Sequence, residues 1–324
     1  MKLRFPLFAT LVAFLYSCSS SDDHAPLLQP NLPADGNNRV TSIVHEGSLP
    51  NVYNWTLTYD ATRLLAAEGN LVGDTQNKYR SAFYYNPTGM TIANAGGPNM
   101  EAVFDIDGNI VQLMVNKDIY HFAYTDGRLT AWDKTVRDMN FGGDVSSASG
   151  RLTYQDGNLV SIAYVENEGE PSVYALTPSA IANRNGLLPA LLSQQMGCFG
   201  FEHLYYGGML GKPSAHLVAN VKVDSSRGEE FDSEISYAYS SAPHTGNITL
   251  CNISYDNGKA AAVIYKYYET RVCVLNSDAP LKLPNKNKRP VNQHWRVSSY
   301  SLNLSQRFNP LPFSYECDAW AFHP

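Results

Sequence analysis

The sequence predicts a mainly β fold: one long antiparallel meander of hairpins, curved or barrel-like, with a short helical insertion near residues 178–197. Three observations predict it. A turn with the pattern aromatic, two residues, glycine, polar, apolar recurs along the chain. The stretches between the turns are rich in β-branched and aromatic residues, and 21 of the 324 residues are tyrosine, a composition that suits a pleated, half-buried surface. Between the turn copies at 154 and 255 the texture changes to an apolar spacing of helical period.

Taken in order, the chain opens with positive Lys2 and Arg4, followed by an apolar run from Phe5 to Tyr16. That run is too short to span a bilayer core, which takes about 20 apolar residues, and it reads as a secretory signal. Leu15-Tyr16-Ser17-Cys18 resembles the bacterial lipobox. The thiol of Cys18 is the nucleophile that would take the diacylglycerol, and small Ser17 gives the peptidase access to the bond. The competing reading is an ordinary signal peptide with an incidental cysteine. Residues 1–17 are therefore expected to be a lipoprotein signal peptide and 18–38 a lipidated flexible tether, rich in Ser, Asp and Asn with Pro26, Pro30 and Pro33. Ser19 in the second mature position resembles an outer-membrane address. The run Ser19 to Asp23 resembles the export tag of surface lipoproteins, against the plainer reading of a solvated leash. Residues 39–324 are expected to form a single β-meander domain.

The clearest turn copies are Tyr124-Thr-Asp-Gly127-Arg-Leu129, Tyr154-Gln-Asp-Gly157-Asn-Leu159 and Tyr255-Asp-Asn-Gly258-Lys-Ala260. Looser copies start at Tyr59, Tyr85 and Phe104. Asp-Gly or Asn-Gly between alternating apolar runs is a strong hairpin signal, because glycine accepts the positive φ that the tight turn demands. The aromatic before each turn is expected to pack across the ladder on the apolar residue after it. Units of this size bury a face only collectively. In the long gap, Thr177 and Pro178 fit a helix start, and Leu187 to Met196 continues an apolar helical period that Gly197 stops. Further strands are expected at 217–223, 234–240, 247–254 and 295–304. Ala260 to Leu275 reads as a central strand covered on both faces.

Charge excludes some partners. The chain carries 24 Lys and Arg against 30 Asp and Glu, a formal charge of −6, with no basic stripe, so nucleic acid is not an expected partner. Besides Cys18 there are Cys198, Cys251, Cys273 and Cys317, which allow three pairings. They are read as free or partly buried thiols, and no CxxC spacing supports zinc.

The turn copies, the lipobox with its Ser-Asp tail, and the segment Tyr206-Gly-Gly-Met-Leu-Gly-Lys-Pro-Ser-Ala-His-Leu217 together carry a resemblance. The turns resemble YD-type hairpin repeats of secreted β-proteins. The whole resembles a Bacteroidales-type lipoprotein family of gut anaerobes, of unknown function and with a porin-like fold, over residues 40–324. The resemblance implies that fold and an envelope location, and it brings no catalytic residues.

No HExxH, GxSxG or P-loop occurs. Gly211-Lys212 reads as a turn with a solvated lysine. Asp105-Ile-Asp107-Gly108-Asn109 lacks the glycine and glutamate spacing of a calcium loop. His121 reads as a strand histidine, and Glu166, Glu168 and Glu170 as a loop tip. No catalytic, metal-binding or cofactor-binding residue is identified, and no cofactor is expected. The expected function is that of an outer-membrane, surface-exposed lipoprotein, attached to the membrane through Cys18 and without enzymatic activity. It would bind a glycan, lipid or protein through an aromatic-rich β surface with Trp132 and Tyr124 as the ligand platform. The alternative is a polysaccharide-acting hydrolase of a glycan-uptake system, which needs two opposed carboxylates. A membrane-spanning barrel is a third reading, and it requires outward-facing apolar residues on every strand.

Overall fold

The computed structural model describes residues 38–268, apart from 48, 50–51, 75–76, 139–142, 168 and 225–233, and apart from the side chains of 137–138 and 143–144. The chain divides into two units, Met1–Tyr268 and Glu269–Pro324. The signal, Cys18, the tether, the strand expected at 295–304, Cys273 and Cys317 all lie outside the described residues.

The first half of the wall is β1 (Val40–Gly47), β2 (Tyr53–Tyr59), β3 (Leu64–Leu71), β4 (Lys78–Asn86), β5 (Gly89–Ala95), β6 (Met100–Phe104), β7 (Ile110–Val115) and β8 (Asp118–Thr125). The second half is β9 (Arg128–Asp138), β10 (Gly143–Gln155), β11 (Asn158–Glu166), β12 (Ser172–Ala182), β13 (His216–Asp224), β14 (Glu234–Ser241), β15 (Ile248–Tyr255) and β16 (Ala260–Tyr267). A five-residue helix, α1 (Glu202–Tyr206), lies between β12 and β13. Each strand pairs antiparallel with its neighbours in sequence, and β1 pairs with β16 from Val40↔Tyr267 to Gly47↔Ala261, so the meander closes into a barrel of sixteen strands. Closure removes both open edges.

The turn repeat has a physical explanation. Asp126 and Gly127 take φ of 53° and 74°, and Asp156 and Gly157 take 51° and 77°, the paired positive values of a type I′ hairpin. The register then sets the aromatic directly across from the apolar residue: Tyr59↔Leu64, Tyr85↔Met90, Phe104↔Ile110, Tyr124↔Leu129 and Tyr154↔Leu159. The apolar partners are all buried. A tyrosine at this end also reaches the neighbouring hairpin. Tyr85 Oη donates to the Leu64 carbonyl at 2.9 Å, Tyr124 Oη to Ile110 at 2.6 Å and Tyr267 Oη to Ile248 at 2.6 Å. Arg39, Arg63 and Arg128 lie over the rings of Tyr59, Tyr85 and Tyr154 at 5.8, 5.1 and 5.9 Å. The motif thus stitches hairpin to hairpin around one rim. Its copy at Tyr255 departs from the pattern: it joins β15 to β16 at the opposite rim, and its post-turn Ala260 is exposed. Gly157→Val is expected to cost about 1–3 kcal/mol, because a β-branched residue must adopt the left-handed region there; an unchanged thermal melt would contradict this register.

Two expectations are corrected. No helix occupies 178–197. β12 runs through Pro178, which sits at a register shift against β13, a place in a sheet where proline is tolerated. The chain then turns repeatedly, with positive φ at Gly186, Leu191 and Gly197, and the helix among the described residues comes later, at α1. The apolar spacing of Leu187 to Met196 reflects burial on all sides, not one helical face. The strand expected from Ala260 to Leu275 is β16 as far as Tyr267, residues 269–275 lying outside the described ones, and it is buried on one face only, through Ala261, Val263 and Tyr265.

The burial has a geometric cause. Sixteen strands enclose more space than inward side chains fill; porins of that size keep a channel. Here the connection 183–215 occupies the lumen. Strands from several sides of the wall bond to it: Trp55 of β2 to Glu202, Trp132 of β9 to Gln195, Gln194 to Tyr164 of β11, Gln195 to Tyr174 of β12, and Tyr237 of β14 to Ala190. Residues 209–215 then strap the turn rim. The N–H of Ile110 donates to Met209 O, Lys212 N–H to Gly127 O and Ala215 N–H to Gly157 O, at 2.8, 2.7 and 2.9 Å. Gly211, with φ of 82°, passes so close that a Cβ would lie 2.9 Å from Gly127 O and 3.0 Å from the Tyr124 ring. The stretch 206–217 singled out in the sequence is this strap.

The outer wall mixes charged and polar pairs with exposed Leu65, Tyr84, Val103, Val145 and Val173. Arg80 and Glu68 pair across it at 3.0 Å, His121 and Asp133 at 3.1 Å with Gln112 beside them, and Lys222 lies 4.0 Å from Glu234. The inward residues, from Ile43 and Leu57 round to Val263, form one apolar cluster with the plug.

Candidate functional site

Two tryptophans peg the plug to the wall. Trp132 lies on Gly150 and beneath Gly197, where a Cβ on either glycine would come within 2.1 Å and 2.4 Å of the indole. Its Nε1 donates to Gln195 O at 2.8 Å. Trp55 sits on Gly69, where a Cβ would lie 2.3 Å from the ring, and its Nε1 donates to Glu202 Oε2 at 2.9 Å. Glu202 also accepts from the Ser193 hydroxyl and the Gly200 N–H, yet burial pushes its carboxyl up to about 7. The His203 ring stands 4.5 Å from Trp55 and 5.6 Å from Phe83, and neither of its nitrogens has a hydrogen-bond partner. Burial lowers it to about 3. Two buried titratable groups on α1 are thus held neutral near pH 6 by the apolar lumen.

Above Trp132, at the rim opposite the strap, the lumen opens into a cavity of about 480 Å³. Its apolar lining is mostly aromatic, from Tyr120, Trp132, Tyr164 and Phe199, with Val136 and Ala148 beside them. Ser147, Asn167 and Gln194 supply neutral polar groups. Lys134 and Glu166 are the charged groups of the lining, and Lys134 Nζ is already bonded to Asp118 at 2.7 Å. Phe199 stands between Gly197 and Gly200, both with positive φ, which present its ring at the mouth, 36% exposed. This volume lies in the ~300–1,000 Å³ range of small-molecule sites.

The sequence-singled residues fall as follows. Trp132 is 4% exposed and faces inward, lining the cavity; Tyr124 lies at the strap, its hydroxyl bonded to Ile110 O, and is not part of that lining. The two rings do not form one platform, and neither is displayed on the outer wall. Phe199, Tyr120 and Tyr164 were missed. The flanking glycines of Gly197-Cys-Phe-Gly200 were the one local signal for Phe199. Asp105 Oδ1 accepts from the N–H groups of Asp107 and Asn109, so that carboxylate closes its own turn. Cys198 and Cys251 are free and fully buried, and burial pushes the Cys251 thiol up to about 12. Among the described residues no cluster of His, Cys, Asp and Glu could hold a metal ion.

Comparison with solved structures finds a likeness in fold. The chain is similar to a porin-like protein of Bacteroides uniformis, with 16% identity and a TM-score of 0.55, covering 71% of this chain and 98% of that one. It is also similar to a porin-like protein of Bacteroides vulgatus, with 13% identity and a TM-score of 0.47 over 71% and 98%. No protein-family model matches the sequence, and a comparison with curated proteins gives no match.

Proposed function

We propose that the chain is a lipoprotein held at the outer membrane by acylated Cys18 and exposed at the cell surface, whose barrel stands in water and binds a partner without transforming it. The observation that carries this reading is the charged pairs on the outer wall around a filled lumen. A membrane barrel presents an apolar band ~25 Å tall, and a Lys or Arg at its midplane costs ~2–4 kcal/mol. The Arg80–Glu68 and His121–Asp133 pairs stand on the strands where that band would lie, and the plug occupies the space a pore would need. The lipid anchor supplies the membrane attachment that the wall does not; two or more acyl chains hold stably where one does not. A hydrolase is less well supported, because a glycosidase uses two carboxylates ~5–10 Å apart and Glu166 is the one carboxylate among the described residues that line the cavity.

Cys18→Ala is expected to leave the precursor unprocessed by the lipoprotein peptidase. Proteolysis confined to residues 19–38 of the mature protein in vesicles is expected to release the barrel into the aqueous phase. A barrel that stays with the membrane after that cut, or that conducts ions across a planar bilayer, would defeat the reading. Released reducing ends from a polysaccharide panel would favour the hydrolase.

A further inference from the structure

Resting on the reading of the chain as a binding protein, we infer that the mouth cavity is the binding site and that it takes the end of a neutral saccharide. Three features of the lining narrow the ligand class. The aromatic walls offer flat apolar faces of the kind that pack on the C–H face of a pyranose ring, and Phe199 is the one at the entrance. The remaining polar lining is mainly amide and hydroxyl, from Ser147, Asn167 and Gln194, groups that both donate to and accept from sugar hydroxyls. The cationic group, Lys134, is neutralised by Asp118 at 2.7 Å, and Glu166 stands at the same cavity. A phosphate, sulfate or uronate would meet no uncompensated cation among the described lining residues. An acyl chain needs an extended apolar tunnel, which amide groups in the wall oppose. A protein surface needs a broader patch than a concave space of about 480 Å³.

Pre-organisation supports the assignment. Trp132 is locked by Gly150, Gly197 and its bond to Gln195 O, and Tyr164 is oriented by the Gln194 amide at 2.9 Å. The walls therefore require little ordering when a ligand enters.

The test uses the full mature chain in detergent micelles, titrated calorimetrically with maltotriose, cellotriose, mannotriose, a chitin trimer and a trigalacturonate, each up to about 10 mM. At least one neutral trisaccharide is expected to bind. Phe199→Ala and Gln194→Ala are each expected to weaken it roughly fivefold or more, with the fold retained and the melting temperature lowered by no more than about 5 °C, while Tyr84→Ala on the outer wall leaves it unchanged. Failure of every neutral sugar, preference for the trigalacturonate, or binding indifferent to both cavity variants would overturn the inference. Loss of binding in Tyr84→Ala alone would move the site to the outer wall. The tether-cleavage result is read separately, so the anchored barrel can stand when the cavity assignment falls.

Discussion

Trp132→Ala is expected to lower stability by about 3–5 kcal/mol, the cost of emptying a large aromatic site. For a chain of this size that is a fall in melting temperature on the order of 10 °C. The indole is 4% exposed and fills the space that Gly150 and Gly197 leave open. Neither glycine can close that space, because both belong to backbone fixed by the ladder and the plug. The substitution also removes the donor to Gln195 O, leaving a carbonyl without its partner in the lumen. Trp132→Phe is expected to cost less, about 1–2 kcal/mol, since it keeps most of the apolar volume and loses the N–H. In the opposite direction, Gly150→Ala puts a methyl 2.1 Å from the indole nitrogen and 2.8 Å from Gln195 O, and overpacking of this kind costs about 1–3 kcal/mol. Chemical denaturation of the three variants would measure all of these values. A loss under about 1 kcal/mol in Trp132→Ala would mean that the ring does not hold the plug.

The residues around this peg mark where the sequence was readable. Gly127 and Gly157 were legible because a type I′ turn is decided within four residues, and Asp-Gly meets its demand for two positive φ values. The pairing of Tyr124 with Leu129 followed from that turn alone. The distant contacts were not legible. Nothing near Val40 says that it will face Tyr267 and close the sheet. Leu187 to Met196 shows an apolar density that a helix and an enclosed plug share, and only the surrounding wall distinguishes them. Trp132 alternates with its neighbours as any strand residue does, and which face is inward is set by closure. The glycines at 150 and 197 lie in two other elements, so the slot they form is invisible one segment at a time. The strap at 209–215 was noticed as a pattern, but its role depends on meeting Gly127 O and Gly157 O, which come from hairpins far away in sequence.

His203→Phe is expected to raise stability and, at the same time, to change its dependence on pH. Both ring nitrogens of His203 are buried without partners, each leaving a desolvated polar group worth about 1–3 kcal/mol, among Trp55 and Phe83 where a phenyl ring fits. The pH dependence follows from two opposed groups on α1. His203 is lowered to about 3 in the fold. The unfolded chain binds a proton below about 6.5 and the folded chain does not, so this group removes stability as pH falls from about 6.5 to 3, by an amount on the order of 4–5 kcal/mol. Glu202 is raised to about 7. The folded chain keeps a proton that the unfolded chain loses above about 4.5, so this group removes stability as pH rises from there to 7, on the order of 3 kcal/mol. Between about 4.5 and 6.5 these two slopes nearly cancel, which leaves the slope of His45, held at about 4 by burial, so the wild type and both variants carry a common loss of about 1.4 kcal/mol per unit as pH falls through that window. Removing one group exposes the other. His203→Phe is expected to lose stability relative to wild type as pH rises from 4.5 to 6.5. Glu202→Gln, which still accepts from Trp55, is expected to become more stable relative to wild type over the same interval. Urea denaturation at half-unit steps of pH measures both. Parallel curves for the two variants and the wild type would show that α1 does not hold these groups neutral in the lumen, and that the plug admits water around them.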